Sequence, residues 1–299
     1  MSLSIRELRE EINAIETINK IASAMQNVAA SKMKRAQQRR QASAAYAQQI
    51  LALLKRIASA KSVASNPYLR HLNQEPRNLA IVLIGSDRGL CGALNSNLFK
   101  LVEDEVARYQ AQKIQLSWSA IGFQALDFCQ RRKFNLIAKV RQIGDDPLIG
   151  PLMPNIRVLL NYYRTGKVDG ILVAYTHFVN NLTRTPVIEQ LLPFNTDLIK
   201  PASSAATPIK LGHVDYLFEP KQNNSLNYLA VKYLEALVYQ AVVDNAACEQ
   251  VSRMLAMRAA SDNAKEITAK LSEMYHKARQ VSITSELMDV MSSRYLAEN

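Results

Sequence analysis

The chain has 299 residues, 48% of them hydrophobic, enough for one sizeable core, and carries 37 Lys and Arg against 26 Asp and Glu for a net charge of +11. No apolar run approaches the roughly 18 residues of a membrane span, and Glu7, Glu10 and Glu11 stand where a signal peptide is basic and then apolar. A soluble protein that is not exported by that route is expected, and the three scattered cysteines, Cys91, Cys129 and Cys248, suggest a reducing compartment with neither a disulfide framework nor a zinc knuckle.

All nine glycines and all ten prolines lie between Pro67 and Pro220, so the first 66 and last 79 residues contain no helix breaker. In the first segment Ile5, Leu8, Ile12, Ile15, Ala22, Ala29, Met33, Ala36, Ala47, Ile50, Leu54 and Ile57 follow one three-four repeat, interrupted by Asn19, Gln26, Arg40 and Ser43. That spacing predicts a coiled-coil seam. In the last segment Leu226, Ala230, Tyr233, Leu237, Ala241, Val251 and Leu255 do the same, and Ile267, Leu271, Met274, Ala278, Val281 and Met288 resume the pattern. At about 1.5 Å per residue such helices run roughly 80 to 110 Å, so each needs the other or an outside partner to bury its stripe. A seam rich in alanine allows close approach while burying little area, which suits a shaft that fits inside something as well as an ordinary structural coiled coil.

Charge is concentrated on the first helix and its exit. From Thr17 to Gln74 there is no Asp or Glu, whereas Lys20, Lys32, Lys34, Arg35, Arg39, Arg40, Lys55, Arg56, Lys61 and Arg70 are all cationic. Such a face suits phosphates, lipid headgroups or a partner's carboxylates, although a solvated basic face is the plain alternative. A major-groove helix over Lys32 to Arg40 is a further alternative. Tyr46 is the only aromatic before residue 67, so there is no stacking platform for a single strand.

Between the two helices, Ser65 to Arg77 reads as a linker, and Leu79 to Ile84 as a buried strand entering a turn at Gly85 to Gly92. A helix from Ala93 to Gln110, a strand from Ile114 to Ile121, a helix from Gln124 to Lys133, a strand from Asn135 to Val140 and a helix from Leu148 to Arg164 follow. Ile171 to Val179 and Thr185 to Leu192 read as a hairpin, Pro201 to Pro208 as a loop and Val214 to Phe218 as a last short strand. The predicted class is therefore α/β: an inserted mixed-sheet domain, residues 67–220, between coiled-coil helices at 1–66 and 221–299.

Catalytic motifs are missing from this reading. Gly89 and Gly92 have neither phosphate-loop spacing nor a following lysine, and they do not match the dinucleotide fingerprint. Asp145 and Asp146 are adjacent and precede Pro147 in what reads as a helix-start turn, and no serine elbow or cysteine with an obvious base is present. His71, His177, His213 and His276 lack the spacing of a metal site. No catalytic, cofactor-binding or metal residue is assigned, and participation in catalysis is expected only through another subunit's site.

Five blocks nevertheless carry a resemblance. They are IASAMQNVAASKM (Ile21 to Met33), SDRGLCGALNSNLF (Ser86 to Phe99), DYLFEP (Asp215 to Pro220), MRAASDN (Met257 to Asn263) and ARQVSITSEL (Ala278 to Leu287). In this order along the chain they strongly resemble the gamma subunit of F-type ATP synthase. The resemblance implies an antiparallel helical shaft turning inside a ring of alternating alpha and beta subunits. It also implies an α/β domain at the membrane c-ring with the epsilon subunit, and nucleotide chemistry that belongs to beta.

Met25 then matches the methionine near the acidic loop of beta, with Lys32, Lys34 and Arg35 two to three turns further on. Arg279, Gln280, Thr284 and Glu286 match contacts with beta higher in the ring, and Arg88 of the SDRGLCG turn also approaches beta. Tyr216 and Glu219 match the foot on the membrane ring. The lack of an organelle transit peptide points to the cytoplasmic face of a bacterial inner membrane, with no direct nucleic-acid or small-molecule substrate. The chain departs from the family at Ala93 and Ala264 and in the tail from Ser292 to Asn299, where Tyr295 and Leu296 are bulkier than the usual small residues. A non-rotary coiled-coil adaptor and a basic-helix nucleic-acid binder are the rival readings.

Overall fold

A computed structural model describes residues 4–57, 68, 76–181, 183–194 and 222–297. The elements are α1 (Ile5–Ile57), β1 (Asn78–Ile84), α2 (Leu94–Ala111), β2 (Gln115–Ile121), α3 (Phe123–Arg131) and β3 (Leu136–Val140). After these come a 3-10 turn (Gly150–Leu152), α4 (Met153–Arg164), β4 (Gly170–Phe178), β5 (Arg184–Leu192) and α5 (Gln222–Ala297). The chain divides into two compact units, one of Met1–Ala30 with Arg253–Asn299 and one of Ser31–Ser252.

The larger unit holds a five-stranded sheet of order β3-β2-β1-β4-β5, parallel except for β5, which returns antiparallel against β4. The expected mixed sheet is therefore present. Strand β1 reads NLAIVLI and its last six residues are all buried, because a central parallel strand is covered on both faces. Its alternate side chains serve two cores. Leu79, Ile81 and Leu83 pack with Leu98, Val102 and Val106 of α2 and Leu126 and Phe128 of α3, whereas Ala80, Val82 and Ile84 pack with Ile156 and Leu159 of α4, Ile50 and Leu54 of α1 and Leu234 and Val238 of α5.

Helix α4 starts later than the apolar spacing suggests. Pro151 and Pro154 both lie in this entry, and proline is tolerated only in a first helical turn, so a 3-10 turn precedes the α-helix. The hairpin forms as expected, closed by Asn180, whose N–H donates to Thr183 O at 3.1 Å and whose Oδ1 accepts from Thr183 N–H at 2.7 Å. The anticipated strand at Val214 to Phe218 and the loop at Pro201 to Pro208 lie outside the described residues.

Helices α1 and α5 run antiparallel within the larger unit, where Lys32 and Gln250 both reach Asp145 and Arg40 meets Asp244. Along α1, Leu8, Ala22, Ala29, Ala36, Ser43, Ala47, Ile50 and Leu54 are buried, following the anticipated seam. From Tyr233 to Arg253, α5 is buried or half-buried all round, which a helix through a core must be and a one-stripe seam does not anticipate.

The outer part of α5 corrects part of the sequence reading, Leu271 and Ala278 being covered as anticipated. Its covered row is Met257, Ser261, Ala264, Thr268, Leu271, Tyr275, Ala278 and Ser282, whereas Ile267, Met274, Val281 and Met288 are 45%, 51%, 63% and 68% exposed. Small residues seat this pair because they let the backbones approach, and Ser261 Oγ donates to Asn19 Oδ1 at 2.6 Å, pinning the register. The larger apolar side chains are left facing outward.

Candidate partner-binding surfaces

The smaller unit presents two kinds of exposed surface. On α5, Arg279, Gln280, Thr284 and Glu286 are all exposed. Thr284 Oγ1 donates to the Gln280 carbonyl at 2.8 Å and Glu286 Oε1 accepts from Ser282 Oγ at 3.3 Å, so these two side chains lie along the helix. Interleaved with them are Val281, Ile283, Leu287, Met288, Val290 and Met291, and α1 adds Ile18, Ile21 and Val28, all exposed. That much uncovered apolar side chain on two helices is the signature of a surface that another molecule covers. Met25 is half-buried.

In the larger unit the cationic stretch of α1 is partly matched from within. Lys32 Nζ donates to Asp145 Oδ2 at 2.6 Å, Arg39 pairs with Asp146, and Gln250 Nε2 donates to Asp145 Oδ1 at 3.2 Å. The loop after β3 thus ties both long helices to the sheet. Burial pushes the Asp145 carboxyl up, but the hydrogen bond and charge of Lys32, the charge of Arg88 and the Gln250 bond together hold it below the ordinary aspartate range. Lys34 and Arg35 are exposed and make no ion pair among the described residues.

One turn further along, Arg40 enters a buried cluster that sequence reasoning missed. Its Nε donates to Asp244 Oδ1 at 3.0 Å, its second nitrogen donates to the Phe178 carbonyl at 3.2 Å, and the guanidinium lies 4.9 Å from the Phe178 ring centroid. His177 Nδ1 is 2.8 Å from Asp244 Oδ2, close enough to attract though poorly aligned for a hydrogen bond. Burial raises the Asp244 carboxyl, with Arg40 and His177 opposing it. The only signal in the sequence was Arg40 interrupting an apolar seam, and nothing there named its partner 204 residues away.

Arg88 is exposed and lines a cleft of about 540 Å³ with Asp87, Phe123, Arg141, Gly144 and Asp145. Asp87 holds the cleft's backbone, accepting from Phe123 N–H at 3.1 Å and from Gly144 N–H at 2.8 Å. Tyr216 and Glu219 lie outside the described residues. The cysteines Cys91, Cys129 and Cys248 are all buried; burial pushes the Cys129 thiol up to about 12 and the Cys248 thiol up as well, so neither of these two is a reactive thiolate near neutrality. Among the described residues no group of three or more His, Cys, Asp or Glu is placed to hold a metal, and no helix is long and apolar enough to cross a membrane.

These features define a protein with long antiparallel helices whose outer faces are exposed, and with an α/β unit that carries a five-stranded mixed sheet. A sequence profile of the ATP synthase family matches residues 4–294. The chain is 39% identical to the ATP synthase gamma chain of Nitrosococcus oceani over 287 residues, 96% of each chain, and 37% identical to that of Dechloromonas aromatica over 96% of this chain and 97% of the relative. Among solved structures it is similar to a chain of the Tetrahymena thermophila mitochondrial ATP synthase central stalk and c-ring, at 25% identity and a TM-score of 0.56 over 81% of this chain and 99% of that one. A chain of the Euglena gracilis mitochondrial ATP synthase shares the fold at 17% identity and a TM-score of 0.64, over 97% of this chain and 93% of that one. The chain belongs to the ATP synthase gamma-chain family.

Proposed function

We propose that this chain is the central rotor shaft of an F-type ATP synthase, coupling ion flow through a membrane c-ring to ATP synthesis or hydrolysis on beta subunits. The observation that carries the reading is the near full-length match to ATP synthase gamma chains. The exposed apolar row on α1 and α5 supports it, since a helix pair turning inside a protein sleeve needs an apolar outer face that meets no fixed partner. In this reading Arg279, Gln280, Thr284 and Glu286 touch the alpha and beta ring on each turn, with Met25 and Arg88 approaching beta. Arg279 offers a planar fork to a carboxylate and Gln280 both donates and accepts, so either can exchange partners as the shaft rotates.

Of the three cations carried over on α1, Lys34 and Arg35 face acidic groups outside the chain, whereas Lys32 first has to satisfy Asp145. Tyr216 and Glu219 are assigned to the contact with the c-ring, and the epsilon subunit is the remaining rotor partner. The location proposed is the cytoplasmic face of a bacterial inner membrane, as a peripheral part of the complex. Co-expression with alpha and beta subunits from the same source tests the reading. One copy per three alpha and three beta, with ATPase that depends on this chain, is expected; a chain that stays alone and leaves alpha and beta unassembled refutes it.

A further inference from the structure

In this sheet β2 and β3 extend from one side of β1 and β4 from the other, so the strand order reverses between β1 and β4. The chain leaves β1 toward α2 and leaves β4 into the hairpin. Open α/β sheets form a crevice at such a reversal, outside the C-terminal ends of the strands, and that is where they bind ligands. A cavity of about 160 Å³ occupies this place, lined among others by Cys91, Asn97, Thr176, Arg184, Pro186 and Ser252. Leu83 of β1 pairs with Ala174, so Thr176 stands level with the point where β1 gives way to loop. Leu172 and Ala174 pack on the side that carries α2, and Thr176 continues that alternation, which turns its side chain toward the first turn of α2.

Three independent features of the cavity favour a negative guest. Thr176 is 2% exposed and its Oγ1 has no hydrogen-bond partner among the described residues, an arrangement that costs stability unless something accepts from or donates to it. Among the described residues Arg184 donates only to the Asn181 carbonyl, at 3.1 Å, and no carboxylate lines the cavity. Helix α2 has 18 residues, no side-chain cap and no acidic residue in its first turn, so no side chain of its own start compensates its N-terminal N–H groups and dipole. Asn97 and Ser252 add polar groups at the rim.

We propose that this cavity is a site for one small oxyanion of the phosphate class, held by Arg184, the α2 N-terminus and the Thr176 hydroxyl. The volume suits a phosphate with a few waters and is too small for a nucleoside, for which pockets of about 300 Å³ or more are usual. A carboxylate offers similar chemistry but only two oxygens, so it fills fewer of the donors. The site belongs to the α/β unit alone and is independent of the rotor reading.

The test uses the full chain in chloride buffer at constant ionic strength, titrated with inorganic phosphate and, separately, with acetate, and followed by phosphorus NMR line width and thermal unfolding. A saturable phosphate response that acetate does not reproduce is expected. Arg184→Gln should weaken it by about tenfold or more, the loss of one charge-assisted hydrogen bond. Thr176→Val should raise the unfolding temperature in chloride, because an orphan buried hydroxyl is gone, and yet weaken the phosphate response. Asn97→Ala, at an exposed position, should weaken it too and serves if either other variant fails to fold. A non-saturable rise, which anion exclusion alone produces, a response equalled by acetate, or one unchanged in the variants that fold overturns the proposal.

Discussion

Arg40 and Asp244, 204 residues apart, form an ion pair at 3.0 Å in which the carboxylate is 1% exposed and the guanidinium rests on Phe178. The pair joins α1, α5 and the end of β4. Taking one partner away leaves a charge with no solvent to receive it.

Arg40→Ala is therefore expected to destabilise the protein by about 3–5 kcal/mol, measured by denaturant unfolding, because Asp244 stays buried. Replacing both residues together with well-packed apolar ones should cost much less than the sum of the single changes. Additive costs would show that the pair is not coupled.

Gly122 joins β2 to α3 at φ +94°, and a Cβ there would lie 2.3 Å from the Gly85 carbonyl oxygen. That contact is with backbone, so no side chain can yield. Gly122→Ala should destabilise by at least about 1–3 kcal/mol from backbone strain alone, with the clash in addition, and thermal unfolding checks it.

Asp145 gives the larger unit an acid-sensitive tie. Its folded value lies below its unfolded one, so its stabilising contribution is complete above the ordinary aspartate range and is lost as pH falls through the folded value. Asp244 is raised, so its proton uptake favours the folded state on acidification and offsets part of that loss. Asp145→Asn should be less stable than the parent at pH 7 and should lose stability less steeply below about pH 4. Unfolding curves across that range decide it; identical pH slopes would remove Asp145 from the account.

Lys34 and Arg35 are exposed and make no ion pair among the described residues, in contrast to Lys32 and Arg39. Lys34→Glu with Arg35→Glu should leave unfolding of the free chain within about 0.5 kcal/mol of the parent, as surface changes do. The same double variant should lower ATP-driven ion pumping per ATP hydrolysed in the assembled complex. Unchanged coupling would remove these two cations from the proposed contact.

Much of the local structure was legible in the sequence because it rests on local rules. The absence of Gly and Pro from both ends marks two long helices, the run Leu79 to Ile84 marks a doubly covered strand, and Asn180 to Thr183 marks a hairpin turn. Arg279, Gln280, Thr284 and Glu286 were singled out only by the resemblance, as contacts with beta, and the structure places all four at exposed positions of α5. The outer seam of α5 was read correctly at Leu271 and Ala278 but misread at its larger residues: Ile267, Met274 and Val281 look like core, whereas the helices in close contact have Ser261, Ala264 and Thr268 between them.

What the sequence determined by itself, then, is the element order, the mixed α/β class, the helical seam of α1 and the family. Each follows from composition, spacing or short matched blocks that are complete within one stretch of chain. The tertiary structure alone decided which charges are spent inside: Lys32 on Asp145, Arg39 on Asp146 and Arg40 on Asp244, with Lys20, Lys34, Arg35 and Lys55 making no ion pair among the described residues. It also decided that Thr176, Arg184 and the start of α2 share one cavity. Residues of one face look alike along a helix, and which of them meets a partner depends on contacts between segments 100 to 200 residues apart, which no local pattern encodes.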